Sequence, residues 1–170
     1  MDIYETIKTR RSVRAYKNEP IKEEVLNRIL EAARLAPSAN NSQNYKFIIV
    51  KDPQRKKALA KGALNQDFIS QAPIVIVGVA LNSELDEDSQ VPFFAVDLAI
   101  AFDHLTLAAA AEGLGTCWIG AFSQDEVKKV LDIPERYQII ALMPLGVPDD
   151  NPAPKHRKDL KDLIRKERFH

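Results

Sequence analysis

Apolar positions recur at helical spacing over residues 22–36, where Val25, Leu26, Ile29, Leu30 and Ala33 fall on one face. Pro20 opens this helix and Pro37 stops it, because the residue before a proline avoids the α region. Residues 1–9 predict a shorter helix with Ile3, Tyr4 and Ile7 on one side. Phe47-Ile48-Ile49-Val50 and Ile74-Val75-Ile76-Val77-Gly78-Val79 predict two strands buried on both faces. Between them, Asp52-Pro53 starts a helix that ends near Gly62. Acidic residues 84–88 read as a solvated loop. The most unusual element follows, over residues 92–112. It carries Phe93, Phe94, Leu98, Ile100, Phe102, Leu105 and Leu107 with seven alanines, and its only charges before Glu112 are Asp97 and Asp103. A helix apolar nearly all round must be buried nearly all round, which one small domain achieves only if a second chain covers a side. Gly113-Leu114-Gly115 ends it, glycine being the usual residue past a helix C-terminus. Residues 116–122 then predict a short apolar strand or loop. Ser123-Gln124-Asp125-Glu126 fits a capping box for a helix to about Leu131. Residues 138–147 predict a third strand with Pro144 marking an edge or end, and residues 159–166 a last helix.

Composition narrows the class. At 170 residues, the chain predicts one domain spanning residues 1–170, since domains run to roughly 100–200 residues. Its 45% hydrophobic and 28% charged residues exclude a disordered chain. Lys+Arg and Asp+Glu both number 24, so there is no net basic charge to neutralise nucleic-acid phosphates. The single cysteine, Cys117, excludes an intramolecular disulfide and a multi-cysteine metal site. The N-terminus shows no secretory pattern and no apolar stretch reaches 18 residues without a charge, so the expectation is a cytoplasmic protein with no membrane partner. A near-zero net charge is compatible with oligomers.

Candidate chemistry gathers in three places. Arg10, Arg11, Ser12 and Arg14 form one basic cluster, and Lys155, Arg157 and Lys158 another. Arginine forks and a serine hydroxyl suit phosphate oxygens, although the same residues also fit solvated loops. The polar loop Ser38 to Gln43 offers amides that match the edge of a planar heterocycle or serve as turn and cap chemistry. Cys117 lies in an apolar run and reads as a buried, inert thiol. His104, His156 and His170 have no metal-ligand spacing, and His104 reads as a hydrogen-bonded core residue. No glycine-rich phosphate loop follows a strand, so neither a Rossmann site nor a P-loop is supported.

Together these residues resemble the nitroreductase family of FMN-dependent oxidoreductases. The family's R-R-S-x-R motif is matched by Arg10-Arg11-Ser12-Val13-Arg14. Its A-P-S-x-x-N-x-Q-P-W-x-F loop is matched at Ala36-Pro37-Ser38, Asn41, Gln43 and Phe47, with Asn44-Tyr45 in place of the frequent Pro-Trp. Its A-P-V-V-I-V strand corresponds to residues 72–77, and its G-L-G-T-C-W-I-G segment to residues 113–120 in full. Its P-L-G-x-P and K-x-R-K motifs correspond to residues 144–148 and 155–158.

The resemblance implies an α+β fold, a central mostly antiparallel sheet flanked by helices, in an intertwined homodimer with FMN at the subunit interface. It implies that Arg10, Arg11 and Ser12 hold the FMN phosphate and ribityl chain, joined by Lys155 and Arg157. Arg14 would sit near N1 and O2 of the ring. Pro37, Ser38, Ala39 and Asn41 would come from the partner subunit, and Ile119 and Gly120 would offer backbone groups near N5. Asn65 or Gln66 would reach the pyrimidine edge. It further implies electron transfer from NADH or NADPH to nitroaromatic, quinone or similar small-molecule acceptors by a ping-pong mechanism on the flavin N5, with no catalytic side chain required. A flavin-storage or sensing protein with little turnover is the alternative. A member specialised in dehalogenation or flavin breakdown is a more distant one, for which no inserted lid argues.

Overall fold

The computed structural model describes residues 2–83 and 91–169, so the acidic stretch 84–88 lies outside the described residues. The chain runs α1 (Ile3–Thr9), α2 (Glu23–Arg34), a 3-10 turn (Ala39–Asn41), β1 (Tyr45–Val50), α3 (Pro53–Gly62) and α4 (Phe68–Gln71). It continues through β2 (Ile74–Ala80), α5 (Phe93–Ala111), β3 (Gly115–Thr116), α6 (Gln124–Leu131), β4 (Gln138–Gly146) and α7 (Leu160–Leu163). Local chemistry sets several of these ends. The Asp52 carboxylate accepts from the Arg55 N–H at 2.8 Å and caps α3. The Ser123 hydroxyl accepts from the Glu126 N–H at 3.3 Å, the forward half of the expected capping box. The Ser123 N–H turns instead to the Gly62 carbonyl, tying α6 to α3.

The four strands form one sheet in the order β1-β2-β4-β3, with every pair antiparallel. β2 lies inside it and is buried at every position. Its side chains alternate between the two faces, as the strand period requires. Val75, Val77 and Val79 pack with Leu59, Ile69 and Val127 of α3, α4 and α6. Ile74, Ile76 and Ala80 pack with Leu26 and Ile29 of α2 and Leu98, Phe102 and Leu105 of α5. The result is a sheet between two helical layers, with α2 and α5 on one side. The expected core positions of α2 hold: Leu26, Ile29 and Ala33 are buried, with Val25 and Leu30 packed beside them.

Four expectations change. β1 is an edge strand with Lys46 exposed and only Val50 fully buried, so it is not covered on both faces. Pro144 sits inside β4, opposite Val75, rather than at an edge or end. Leu142 exchanges both backbone bonds with Ile119, so the Pro144 nitrogen, two residues on, faces the same side. There the two-residue β3 has already left the ladder, and the missing N–H leaves no strand partner unpaired. The last helix keeps only Leu160–Leu163, and all four of its residues are exposed, so little burial supports a longer helix. α4 was not expected at all; four residues are too few to show a period.

Gly78 lets α5 rest on the sheet. A Cβ there would lie 2.3 Å from the Phe102 ring and 2.9 Å from Leu98. Gly78→Ala is therefore expected to lower stability by about 1–3 kcal/mol through overpacking. Urea denaturation measures this, and an unchanged midpoint would show that α5 does not lie so close to β2.

Candidate functional site

Three short ties build a basic cradle from the loop after α1. The Val13 N–H donates to the Thr116 carbonyl at 2.9 Å, next to a parallel bridge between Ser12 and Thr116. A Cβ on Gly115 would meet Val13 at 2.6 Å, so glycine permits this approach. Farther along, Lys17 N–H donates to Val147 O and Asp149 N–H to Ala15 O. The buried Tyr16 hydroxyl donates to Val13 O at 2.8 Å, and burial pushes its pKa well up. The Arg14 N–H donates to Asp150 Oδ2 at 3.1 Å. Loop 10–17 is thus stitched to the chain leaving β4.

The stitching brings both basic clusters to one cleft of about 850 Å³. Arg10, Arg11, Ser12, Arg14, Lys155 and Arg157 all line it. Arg11 spends its guanidinium on the carbonyls of Lys8 and Arg10, the C-terminal turn of α1. Among the described residues, Arg10, Arg14, Lys155 and Arg157 make no ion pair. The acidic residue in the cleft is Asp150, whose Oδ1 is buried without a hydrogen-bond partner. With Lys8, six cations line the cleft against one carboxylate, and they repel each other unless an anion joins them.

The second half of the expected site lies elsewhere. α2 and α5 run antiparallel: Arg28 pairs with Glu112, and His104 Nδ1 lies 3.3 Å from Ala32 O. The loop after α2 therefore emerges at the N-terminal end of α5, where Ala39 N–H donates to Asp97 Oδ1 at 3.0 Å. The cradle sits by Thr106, Ala110 and Gly113, at the C-terminal end. At 1.5 Å per residue, Asp97 and Ala110 are about 20 Å apart. Pro37, Ser38, Ala39 and Asn41 of one chain thus stand apart from Arg10 and Arg157 of the same chain. Asn40, Asn41 and Gln43 have φ of 51°, 54° and 50°, a conformation costing roughly 1–2 kcal/mol for a residue with a side chain. Their side chains are exposed.

Other candidates sort as follows. Ile119 exchanges both backbone bonds with Leu142, so its N–H is occupied. Gly120 is exposed, and its N–H has no partner among the described residues. Gln66 donates from its amide to Ala63 O and Ala121 O, whereas Asn65 is exposed at φ 58°. Cys117 is 2% exposed, and burial pushes its thiol up, against the pull of Arg14. Sequence reasoning missed two carboxylates. Asp150 carried no motif, while Asp97 was visible as one of two charges in an apolar helix.

Residues 2–169 match the family described as "Putative TM nitroreductase". The chain belongs to the nitroreductase family. Its likeness to a Bacillus subtilis protein named FMN reductase [NAD(P)H] is 32% identity, over 92% of this chain and 70% of that one. A solved nitroreductase family protein from Clostridium novyi NT shares 36% identity at a TM-score of 0.84, covering 91% of this chain and 89% of its own. A second structure, NADPH:FMN oxidoreductase from Vibrio harveyi complexed with NAD+, superposes at a TM-score of 0.90 with 28% identity. It covers 99% of this chain and 78% of its own. The α+β fold expected of a nitroreductase is the one observed, with a wholly antiparallel sheet.

In this nitroreductase the GTCW segment supplies a buried cysteine rather than a reactive one. Cys117 should react with iodoacetamide at least about tenfold more slowly in the native protein than in denaturant at the same pH. Equal rates would mean that the β3 segment opens readily.

Proposed function

We propose that this chain works as an FMN-dependent NAD(P)H oxidoreductase whose two sites are each built from two subunits, and which reduces quinones, nitroaromatics or similar electron-poor acceptors. The observation that carries the reading is the cradle itself: Arg10, Arg11, Arg14, Lys155 and Arg157 converge on one cleft from both ends of the chain. A dianionic phosphate fits this set, because arginine and lysine give it charge-assisted bonds and it removes their mutual repulsion. The unpartnered Oδ1 of Asp150 fits a hydroxyl-bearing chain beside that phosphate, since only a donor can satisfy it.

Bound in this cleft, FMN would supply the hydride-accepting and electron-donating chemistry between NAD(P)H and the acceptor. The chain's residues hold and tune it. Arg10, Ser12, Lys155 and Arg157 grip the phosphate end, and Arg11 both caps α1 and adds charge. The Arg14 backbone is fixed by Asp150 and the residue lines the cleft, where its guanidinium would face the ring's N1 and O2. The Gly120 N–H takes the N5 contact, since that of Ile119 is occupied; with Gln66 occupied too, Asn65 takes the pyrimidine edge. No side chain has to move a proton. One open space serves donor and acceptor in turn, which gives ping-pong kinetics.

Dimerisation completes the site. The face of α5 away from the sheet carries Phe93, Val96, Ile100, Asp103, Leu107 and Ala110 at alternating spacings of three and four, all exposed or half-buried. Such a stripe is a helix-packing seam. Packed antiparallel on its mate, α5 sets the Ser38–Asn41 loop of one chain beside the cradle of the other. The exposed area agrees: 10950 Å², against about 8,400 Å² for a compact monomer of this mass. Residues 153–169 are exposed throughout, with Leu160, Leu163, Ile164 and Phe169 uncovered, as in an arm that wraps a partner. The unpaired thiol suits a reducing, cytoplasmic setting.

The test begins with the visible absorbance of the purified protein and NAD(P)H oxidation with menadione or nitrofurazone. Bound flavin with turnover is expected; bound flavin without turnover would favour storage or sensing. Arg10→Ala, or Lys155→Ala with Arg157→Ala, should weaken FMN by about 1.5–3 kcal/mol per lost charge-assisted bond and leave riboflavin nearly unaffected. Equal losses would place these side chains away from the phosphate. Arg14→Gln should lower the midpoint potential of the bound flavin by tens of millivolts, about 30 mV for each 1.4 kcal/mol of charge stabilisation lost. An unchanged potential would remove Arg14 from the ring.

A further inference from the structure

Asp97 is the buried charge of α5. It is 5% exposed, while Asp103 and Glu112 face outward. Among the described residues no lysine, arginine or histidine pairs with it. Its recorded hydrogen bond is to a backbone amide: Oδ1 accepts from the Ala39 N–H at 3.0 Å. A buried carboxylate with no cation is costly unless its bonds are needed, and an apolar side chain would suit the helix–sheet contact better.

The segment held by this bond needs an anchor. Ser38 is extended, and then Asn40, Asn41 and Gln43 all take left-handed φ. At its far end the Gln43 carbonyl accepts from the Tyr45 N–H of β1 at 2.8 Å, and the other hydrogen bonds of the loop among the described residues are internal. Asn41 N–H donates to Ser38 O, Ser42 N–H to Ala39 O, and Gln43 N–H to Ser38 Oγ at 3.1 Å. Gln43 Nε2 donates to Asn41 O. The side chains at positions 40–44 are exposed. A strained loop with solvated amides gains little from its own packing, and the Ala39–Asp97 bond is what registers it on a long, rigid helix. That helix also carries the seam toward the second subunit.

We propose that Asp97 is a positioning residue that presets the Ser38–Gln43 loop of one subunit for the flavin ring held in the cradle of the other. This rests on the flavin reading above and deepens it. The carboxylate acts as an acceptor, not as a charge. The loop meets the ring rather than the phosphate, so its loss affects FMN and riboflavin alike, unlike the loss of a cradle arginine.

The test is flavin binding by fluorescence titration, on protein shown to be dimeric by sedimentation. Asp97→Leu should weaken FMN and riboflavin equally, by about tenfold, the effect of one such bond. Asp97→Asn keeps an Oδ1 acceptor and should stay within about threefold of wild type. Ala39→Pro deletes the donor from the other side. The extended Ser38 and the first position of a 3-10 turn both accept proline, so this variant should show the same loss, and combining it with Asp97→Leu should add little. Unchanged binding in Ala39→Pro would overturn the proposal, even if Asp97→Leu failed to fold. An Asn variant as weak as Leu, or additive losses, would overturn it too. A wild-type protein that binds neither flavin would overturn the flavin reading itself.

Discussion

The rest of the structure depends on α5 being apolar on every side while one chain covers only part of it. Over an 18-residue stretch of it, only 33% is buried. By length and composition such a helix could cross a membrane. Its contacts are instead those of a packed helix: Phe102 against Gly78, His104 against the end of α2, and Asp97 against a loop amide. Apolar surface left in water costs about 25 cal/mol per Å². The outward seam from Phe93 to Ala110 is therefore the surface that the proposed dimer would cover.

The same helix separates the chemistry into halves. α2 lies antiparallel to it and delivers the polar loop to its N-terminal end. β3 follows it and gathers the arginine loop at its C-terminal end. Each half is well made in the single chain. The cradle is stitched by Val13, Tyr16 and Asp150, and the loop by Asp97. In the proposed dimer an antiparallel pair of α5 helices would join the two halves, serving stability and site assembly together. The C-terminal arm follows from the same logic. It brings Lys155 and Arg157 to the cleft and then exposes Leu160, Leu163 and Ile164, apolar surface that the proposed second subunit would cover.

Much of this was legible in the residues. Long elements with a clear period, α2 and α5, stood where the spacing placed them, and the short caps at Asp52 and Ser123 did what those residue types do. The basic clusters were visible, but their convergence was expected only from the family resemblance and not from spacing, because about 140 residues of chain separate them and only tertiary pairing brings them together. β1 misled because an apolar run looks the same on an edge strand as on a central one. The buried carboxylate of α5, Asp97, was visible, yet its role needed the loop geometry, since nothing in composition says which amide a buried acid will meet. The commitment of the Ile119 N–H and the Gln66 amide could be seen only in the structure.

The central claim is that each site joins the cradle of one chain to the loop of the other. It is tested most directly with heterodimers isolated through two different affinity tags. One chain carries Arg10→Ala and Arg157→Ala, and the other carries Ser38→Ala and Asn41→Ala, each pair chosen to abolish flavin binding in its own homodimer. The account predicts that the heterodimer regains one flavin, because the intact cradle of one chain meets the intact loop of the other. A heterodimer that binds none, with both defects persisting independently, would contradict it.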